Sequence, residues 1–158
     1  AEVKHNTPYG FSKRIISQLM RDNPKNISVR IYSVFDENEL DQRFIKSSIQ
    51  NYINRKDIVI HQNKKMDLFY MKDLISLVEW YINLNGGEYN RDFINCGYLE
   101  KYTLFQVANL INNLDEHKVV IRIEDDLDGE DYCESYSALP FKLIGLEEGI
   151  KETYNKLK

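Results

Sequence analysis

The residues best suited to chemistry lie at the start of the chain, in Thr7-Pro8-Tyr9-Gly10-Phe11-Ser12-Lys13. Tyr9 and Lys13 are four residues apart, which places both side chains on one face of a helix. A fixed ammonium favours the charged form of a neighbouring phenol, so this pair can act as a general acid and base near neutral pH. The chain has 11 tyrosines and many lysines, so one or two Tyr-x-x-x-Lys spacings are expected by chance. The same spacing therefore also fits an ordinary helix with a packed aromatic ring and a solvated lysine.

Other reactive groups are weaker candidates. Cys133 lies in an acidic segment, which raises the pKa of a thiol and argues against a nucleophile. The acidic residues at 125–131 lack the spacing of a calcium loop. The three histidines are far apart in the sequence, and neither cysteine is close to another metal-ligating residue, so no zinc motif is present. We therefore expect no metal site.

The composition is that of one globular domain. The chain has 158 residues, of which 42% are hydrophobic and 29% charged, and its net charge is −4. No basic stripe favours nucleic-acid binding, and no apolar run approaches the roughly 20 residues of a membrane span. With only two cysteines, a reducing compartment is expected, and we assign the protein to the cytoplasm.

Helix and strand patterns alternate along the sequence. Thr7 can cap a first helix and Pro8 can begin it, and residues 22–24 end it. Alternating apolar residues at 27–33, continuing to Phe35, predict a strand. Further strands are predicted at 58–60, 68–71, 93–96 and 119–123, with helices at 40–54, from a cap at Asp73 to Gly86-Gly87, after the capping box 103–106, and from Leu146 onwards. This alternation predicts an α/β fold with at least partly parallel strands.

Several segments, read together, resemble the extended short-chain dehydrogenase/reductase family, in its nucleotide-sugar epimerase and dehydratase branch. They follow one another in the family's order and cover about 150 residues. They are Pro8-Tyr9-Gly10-x-Ser12-Lys13, 29–35, Arg43-Phe44-Ile45, 67–74, 93–97 with 103–111, and the closing pieces Ser137-Ala138-Leu139, Leu143-Ile144-Gly145 and Glu148-Gly149-Ile150.

The resemblance implies the carboxy-terminal half of a Rossmann-type enzyme. Residues 1–36 would be the last helix and strand of a dinucleotide-binding domain, and residues 37–158 a small mixed α/β substrate-binding lobe with possible return segments to the dinucleotide-binding sheet. The sequence has no G-x-G-x-x-G motif, which the family uses for the cofactor's pyrophosphate. We therefore expect the cofactor-binding half, with a catalytic Ser or Thr, to lie upstream. The chain alone is expected not to bind the cofactor.

The resemblance also implies the chemistry of the complete protein, which is hydride transfer between a sugar carbon and NAD or NADP. Tyr9 would exchange a proton with the sugar, while Lys13 would lower the pKa of Tyr9 and bind the nicotinamide ribose. Val34 would touch the cofactor. The implied substrate-binding residues are Ser33, Phe35, Arg43, His61 and Gln62, although an ordinary turn histidine is an equal reading of His61.

Some positions depart from the family pattern. Ser33 stands where an asparagine is common, and Met66 where an arginine usually meets the nucleotide phosphates. Arg43 or the pair Lys64 and Lys65 could replace that arginine, although solvated lysines in a turn are the simpler reading. The family's 3,5-epimerising members use a cysteine and a histidine, and the histidine would be expected near Asp41. No histidine lies there, so 3,5-epimerisation is not favoured.

Two hypotheses about function follow. The first is an NAD(P)-dependent nucleotide-sugar epimerase, dehydratase or reductase of polysaccharide-precursor synthesis, present here as a half that is inactive alone. The second is a non-catalytic remnant that binds a nucleotide sugar or a protein partner. The family also implies a homodimer through the helix at 8–21. An uncovered apolar face on that helix and an unpaired strand at 27–33 would favour self-association.

Overall fold

A computed structural model of the chain describes residues 7–21, 26–84, 93–125 and 129–158. Helices and strands alternate along these residues, as the sequence patterns predict. In chain order they are α1 (Pro8–Arg21), β1 (Ser28–Ile31), β2 (Ser33–Phe35), α2 (Phe44–Ile53), β3 (Ile58–Gln62), β4 (Leu68–Tyr70), α3 (Met71–Asn83), β5 (Phe93–Cys96), α4 (Leu104–Asn112), β6 (Ile121–Asp125) and α5 (Leu146–Leu157).

The strands form three parallel pairs, which are β1 with β5, β2 with β4, and β3 with β6. The α/β class with parallel pairing is therefore confirmed. The continuous strand predicted from 27 to 35 is wrong, because the segment breaks at Tyr32. β1 and β2 follow each other in the chain but pair with different partners, so the backbone must change direction between them.

The main hydrophobic core lies between α2, α4, α5 and the strands β2, β3 and β4. Its largest fully buried side chains include Phe35, Tyr52 and Tyr70. A Cβ on Gly149 would lie 2.7 Å from Cγ of Tyr70, so only glycine lets α5 approach β4 this closely. A second cluster contains Phe69, Leu77, Ile94 and Cys96.

Some predicted boundaries change in the structure. α2 begins at Phe44 rather than at residue 40, and β6 begins at Ile121 rather than at 119. Asp125, the first of the acidic residues at 125–131, ends β6. The predicted helix stops at 22–24 and at Gly86-Gly87 lie outside the described residues. The capping box of α4 is confirmed, since Thr103 accepts a hydrogen bond from the Gln106 backbone while the Gln106 side chain accepts one from Thr103.

Glu39 closes the loop that leads into α2. Its carboxylate accepts a hydrogen bond from the backbone N–H of Lys46 at 3.0 Å, and the Lys46 ammonium donates to the Glu39 carbonyl at 2.8 Å. Partial burial of the carboxylate raises the pKa of Glu39 to about 7, although the hydrogen bond from Lys46 opposes this shift. The folded chain therefore binds a proton at Glu39 more tightly than the unfolded chain does.

This raised pKa predicts a measurable pH dependence of stability. The contribution of Glu39 is complete below about pH 4.5 and is lost as the pH rises to about 7, because over this range the unfolded chain has released a proton that the folded chain still binds. We expect the thermal midpoint of the wild type to fall between about pH 4.5 and pH 7 by more than that of Glu39→Gln. Equal pH dependence of the two proteins, measured by circular dichroism, would contradict this origin.

Candidate functional site

Tyr9 and Lys13 lie together on α1, as their spacing predicts. Thr7 caps this helix by accepting a hydrogen bond from the backbone N–H of Gly10 at 3.1 Å. The Lys13 ammonium lies 5.3 Å from the centre of the Tyr9 ring. Tyr9 is 71% exposed. The contacts described for the two side chains lie within α1, so the pair is presented on an open helix face where a ligand could reach it.

Much of the rest of α1 is also exposed. Five of its apolar side chains are between 40% and 71% accessible, and they belong to Tyr9, Phe11, Ile15, Ile16 and Leu19. β1 uses one edge to pair with β5, and within the described part of the chain no strand covers its other edge. Most of α1 thus lies outside the packed part of the described chain, whereas Val29 of β1 packs against the second hydrophobic cluster.

The expected ligand residues of β2 are mostly buried. Ser33 is 7% exposed, and Phe35 is 1% exposed with its ring 5.4 Å from that of Tyr70. Val34 is partly buried against the second hydrophobic cluster. Contact between Phe35 and a substrate would therefore involve the backbone rather than the ring.

The remaining expected residues occupy separate elements. His61 and Gln62 end β3, where the His61 ring contacts the Glu124 carboxylate and Gln62 donates a hydrogen bond to Asp125 at 3.3 Å. Both contacts join β3 to β6 and lie on the exposed surface. Arg43 is the N-cap residue of α2 and its side chain is exposed. These contacts give His61 and Gln62 a role in strand pairing, whatever their role in binding.

A buried ion pair connects three loops beside Met66. The Lys101 ammonium lies 2.5 Å from the Asp67 carboxylate, which also accepts the backbone N–H of Glu134 at 2.8 Å. A Cβ on Gly97 would lie 2.8 Å from Cγ of Asp67, so glycine is required for this close approach. Met66 itself packs against the main hydrophobic core. Asp67 belongs to a segment singled out in the sequence, but its partner 34 residues later carries no local signal.

Asp73 was expected to cap α3 and does not. The N-cap residue is Tyr70, and the fully buried carboxylate of Asp73 accepts three hydrogen bonds from elsewhere. The donors are the Tyr98 hydroxyl at 2.6 Å and the backbone N–H groups of Ile144 and Gly145 at 2.7 and 3.0 Å. Asp73 thus fastens α3 to the loop after β5 and to the start of α5.

The two thiols are poorly suited to nucleophilic chemistry. Burial raises the pKa of Cys96 to about 12, and the Asp67 carboxylate adds to this effect. Burial and then Asp67 also raise the pKa of Cys133. The described residues contain no group of three metal-ligating side chains and no helix long and apolar enough to cross a membrane.

No family model matches the sequence, and no curated protein matches it. Solved structures do match the fold. A UDP-glucuronic acid 4-epimerase from Bacillus cereus, in complex with UDP-glucuronic acid and NAD, matches 94% of this chain and 52% of its own, with a TM-score of 0.71 and 14% identity. The chain folds like half of an extended short-chain dehydrogenase/reductase.

Two further structures with this extended short-chain dehydrogenase/reductase fold show the same partial coverage. A UDP-N-acetylglucosamine 4-epimerase from Methanobrevibacter ruminantium M1 has 19% identity and a TM-score of 0.71, over 96% of this chain and 54% of its own. A dTDP-glucose 4,6-dehydratase from Bacillus anthracis, in complex with NAD, has 17% identity and a TM-score of 0.66, over 95% of this chain and 51% of its own. The chain therefore spans about half the length of these proteins.

Proposed function

We propose that the complete protein is an NAD(P)-dependent nucleotide-sugar epimerase, dehydratase or reductase that serves polysaccharide-precursor synthesis. The observation that carries this proposal is the Tyr9–Lys13 pair on an exposed helix of a chain with the extended short-chain dehydrogenase/reductase fold. The pair supplies a proton-transfer group, and the fold supplies the setting in which such a group works.

Tyr9 and Lys13 would contact the nicotinamide end of the cofactor. Both side chains are exposed, and the Lys13 ammonium lies 5.3 Å from the centre of the Tyr9 ring. With them, Val34 at the carboxyl end of the β1–β2 segment would contact the cofactor. Bound NAD would supply the hydride acceptor and donor. The chain has no glycine-rich motif for the pyrophosphate, so this contact would have to come from another part of the complete protein.

The proton step belongs to Tyr9. As phenolate, Tyr9 would take the proton of a sugar hydroxyl while the hydride on the same carbon passes to the nicotinamide and the carbonyl forms, and as phenol it would return the proton in the reverse direction. Lys13, whose ammonium lies 5.3 Å from the centre of the Tyr9 ring, would hydrogen-bond the nicotinamide ribose. The proposed substrate contacts are those of Ser33, Phe35, Arg43, His61 and Gln62. Phe35 would make its contact through the backbone, because its ring is buried in the core.

The complete protein provides the test of this function. Incubation with a panel of nucleotide sugars, each with NAD or NADP, should convert at least one sugar into an epimer, a dehydrated ketosugar or a reduced product, resolved by chromatography. If no member of the panel is converted, the alternative of a non-catalytic binding protein gains support.

The 158-residue chain alone should not bind the cofactor. Without a glycine-rich turn at a helix N-terminus, few backbone N–H groups are available for a pyrophosphate. Isothermal titration calorimetry with NAD and with NADP should therefore give no binding isotherm. Tight binding of either nucleotide would contradict this expectation and would place the pyrophosphate site within these residues.

We also propose a homodimer through α1. Besides Tyr9, four apolar side chains of this helix are exposed, those of Phe11, Ile15, Ile16 and Leu19, and apolar surface of this kind marks an interaction site. Light scattering of the 158-residue chain should show association, and the double variant Ile16→Lys with Leu19→Lys should shift the population to monomer. Ile82→Lys, at an equally exposed position on α3, is the matched control. A monodisperse wild-type monomer would contradict the prediction.

A further inference from the structure

The strand β6 has one open edge. Among the described residues its only strand partner is β3, and the two form a two-stranded sheet. The Ile58 backbone N–H donates to the Val120 carbonyl at 2.9 Å. Backbone groups of alternate residues in a strand point to opposite edges, so Arg122 faces β3 while Ile121 and Ile123 direct their N–H and C=O groups to the open edge. Such an edge can pair with a further strand.

The strand is fastened to its neighbours near both ends. Just before β6, the Val119 backbone N–H donates to the side-chain oxygen of Asn112 at 2.9 Å, and the Asn112 amide donates to the Val119 carbonyl at 3.0 Å. At the end of the strand, Gln62 donates to the Asp125 carboxylate at 3.3 Å. A strand that is already held in place loses little conformational freedom when a partner pairs with it.

Charges of opposite sign lie on either side of Ile123. The Arg122 guanidinium lies 2.6 Å from the Asp57 carboxylate, and the Glu124 carboxylate contacts the His61 ring. The side chains of Arg122 and Glu124 nevertheless remain 67% and 55% exposed, so each can make a second contact. Because side chains alternate between the two faces of a strand, both project from the same face of the sheet.

We propose that the open edge of β6 pairs with the same edge of a second copy of this chain. In an antiparallel pair with Ile123 opposite Ile123, the two isoleucines exchange both backbone hydrogen bonds. Arg122 of each copy then lies opposite Glu124 of the other, at the closer type of cross-strand pair, where opposite charges attract. A parallel pair in register would instead bring Arg122 beside Arg122. The charges of β6 therefore favour the two-fold antiparallel arrangement.

This contact is separate from the proposed homodimer through α1, and it should be weaker. Two short strand edges bury less area than a standard interface, so we expect a dissociation constant between about 10 µM and 1 mM. Such a contact is little populated in dilute solution. In the complete protein, two different two-fold contacts on one chain would join dimers into a larger assembly.

Sedimentation equilibrium of the double variant Ile16→Lys with Leu19→Lys, the reference chain, tests the contact without the α1 surface. We expect this chain to dimerise as its concentration is raised to about 1 mM. Adding Arg122→Glu or Glu124→Arg should weaken dimerisation at least about tenfold, because like charges then face each other twice. An equimolar mixture of these two variants should associate again, since each glutamate of one meets an arginine of the other. Glu79→Arg, an exposed charge reversal on α3, is the matched control and should change nothing.

Amide hydrogen exchange of the reference chain tests the same contact without a substitution in β6. The Ile123 N–H should exchange more slowly at high protein concentration, whereas that of Arg122, which already faces β3, should change little. Three results would overturn the proposal. They are no dimerisation of the reference chain at about 1 mM, no association in the mixture of variants that circular dichroism shows to be folded, and exchange at Ile123 that does not depend on concentration.

Discussion

Replacing Tyr9 by phenylalanine in the complete protein is expected to lower kcat by about 10²- to 10⁴-fold, the contribution of a positioned general acid or base. Phenylalanine keeps the ring but removes the only proton that Tyr9 can exchange with a sugar hydroxyl. Because Tyr9 is 71% exposed and lies outside the hydrophobic core, the free energy of unfolding should change little. Product formation, measured by chromatography in single-turnover and steady-state assays, gives the loss directly.

Lys13→Met separates catalysis from packing. Removal of the ammonium should raise the KM for the nicotinamide cofactor, because the ribose then lacks its proposed hydrogen-bond donor. Tyr136→Phe serves as the matched control, since it removes the hydroxyl of another exposed tyrosine far along the chain and should leave kcat unchanged. Near-normal turnover in Tyr9→Phe would remove Tyr9 from the reaction, whatever the outcome with Lys13.

The sequence predicts those parts of the fold that local chemistry determines. Thr7 and Thr103 cap helices with their own side chains, and the bonds that do so span only three residues. The apolar spacing of α5 and the β-branched residues of β3 are similarly local. Each of these features depends on neighbours in the chain, so a single sequence contains the information that specifies them.

Contacts between distant segments could not be predicted in this way. The Asp67–Lys101 pair and the bonds of Asp73 to Ile144 and Gly145 join residues 34 to 72 positions apart. A short acidic residue near a helix start favours capping of that helix, but Asp73 is drawn to other donors because the fold brings α5 beside it. The break of the predicted strand at Tyr32 could not be predicted for a related reason. The change of strand partner from β5 to β4 depends on distant segments and has no signal in the local run of apolar residues.

The largest change in stability is expected from Asp73. Alanine at this position leaves the Tyr98 hydroxyl and the backbone N–H groups of Ile144 and Gly145 without their shared acceptor. Each buried donor left without a partner costs about 1–3 kcal/mol, and a chain of this size has only about 5–15 kcal/mol of stability. Asp73→Ala should therefore unfold at much lower urea concentration, or fail to fold. Asp41→Ala, at an exposed carboxylate, should stay within about 0.5 kcal/mol of wild type.

Tyr98→Phe keeps this prediction testable if Asp73→Ala does not fold. It removes one of the three donors and leaves the carboxylate bonded to Ile144 and Gly145, so its cost should be about 1.5–3 kcal/mol, the range for a hydrogen bond to a charged group. The Tyr98 hydroxyl also accepts the backbone N–H of Tyr70 at 3.0 Å, and that donor loses its partner as well. Removing a donor to a buried carboxylate should lower the free energy of unfolding. Urea unfolding curves of Tyr98→Phe that overlay those of wild type would therefore mean that Asp73 does not hold these segments together.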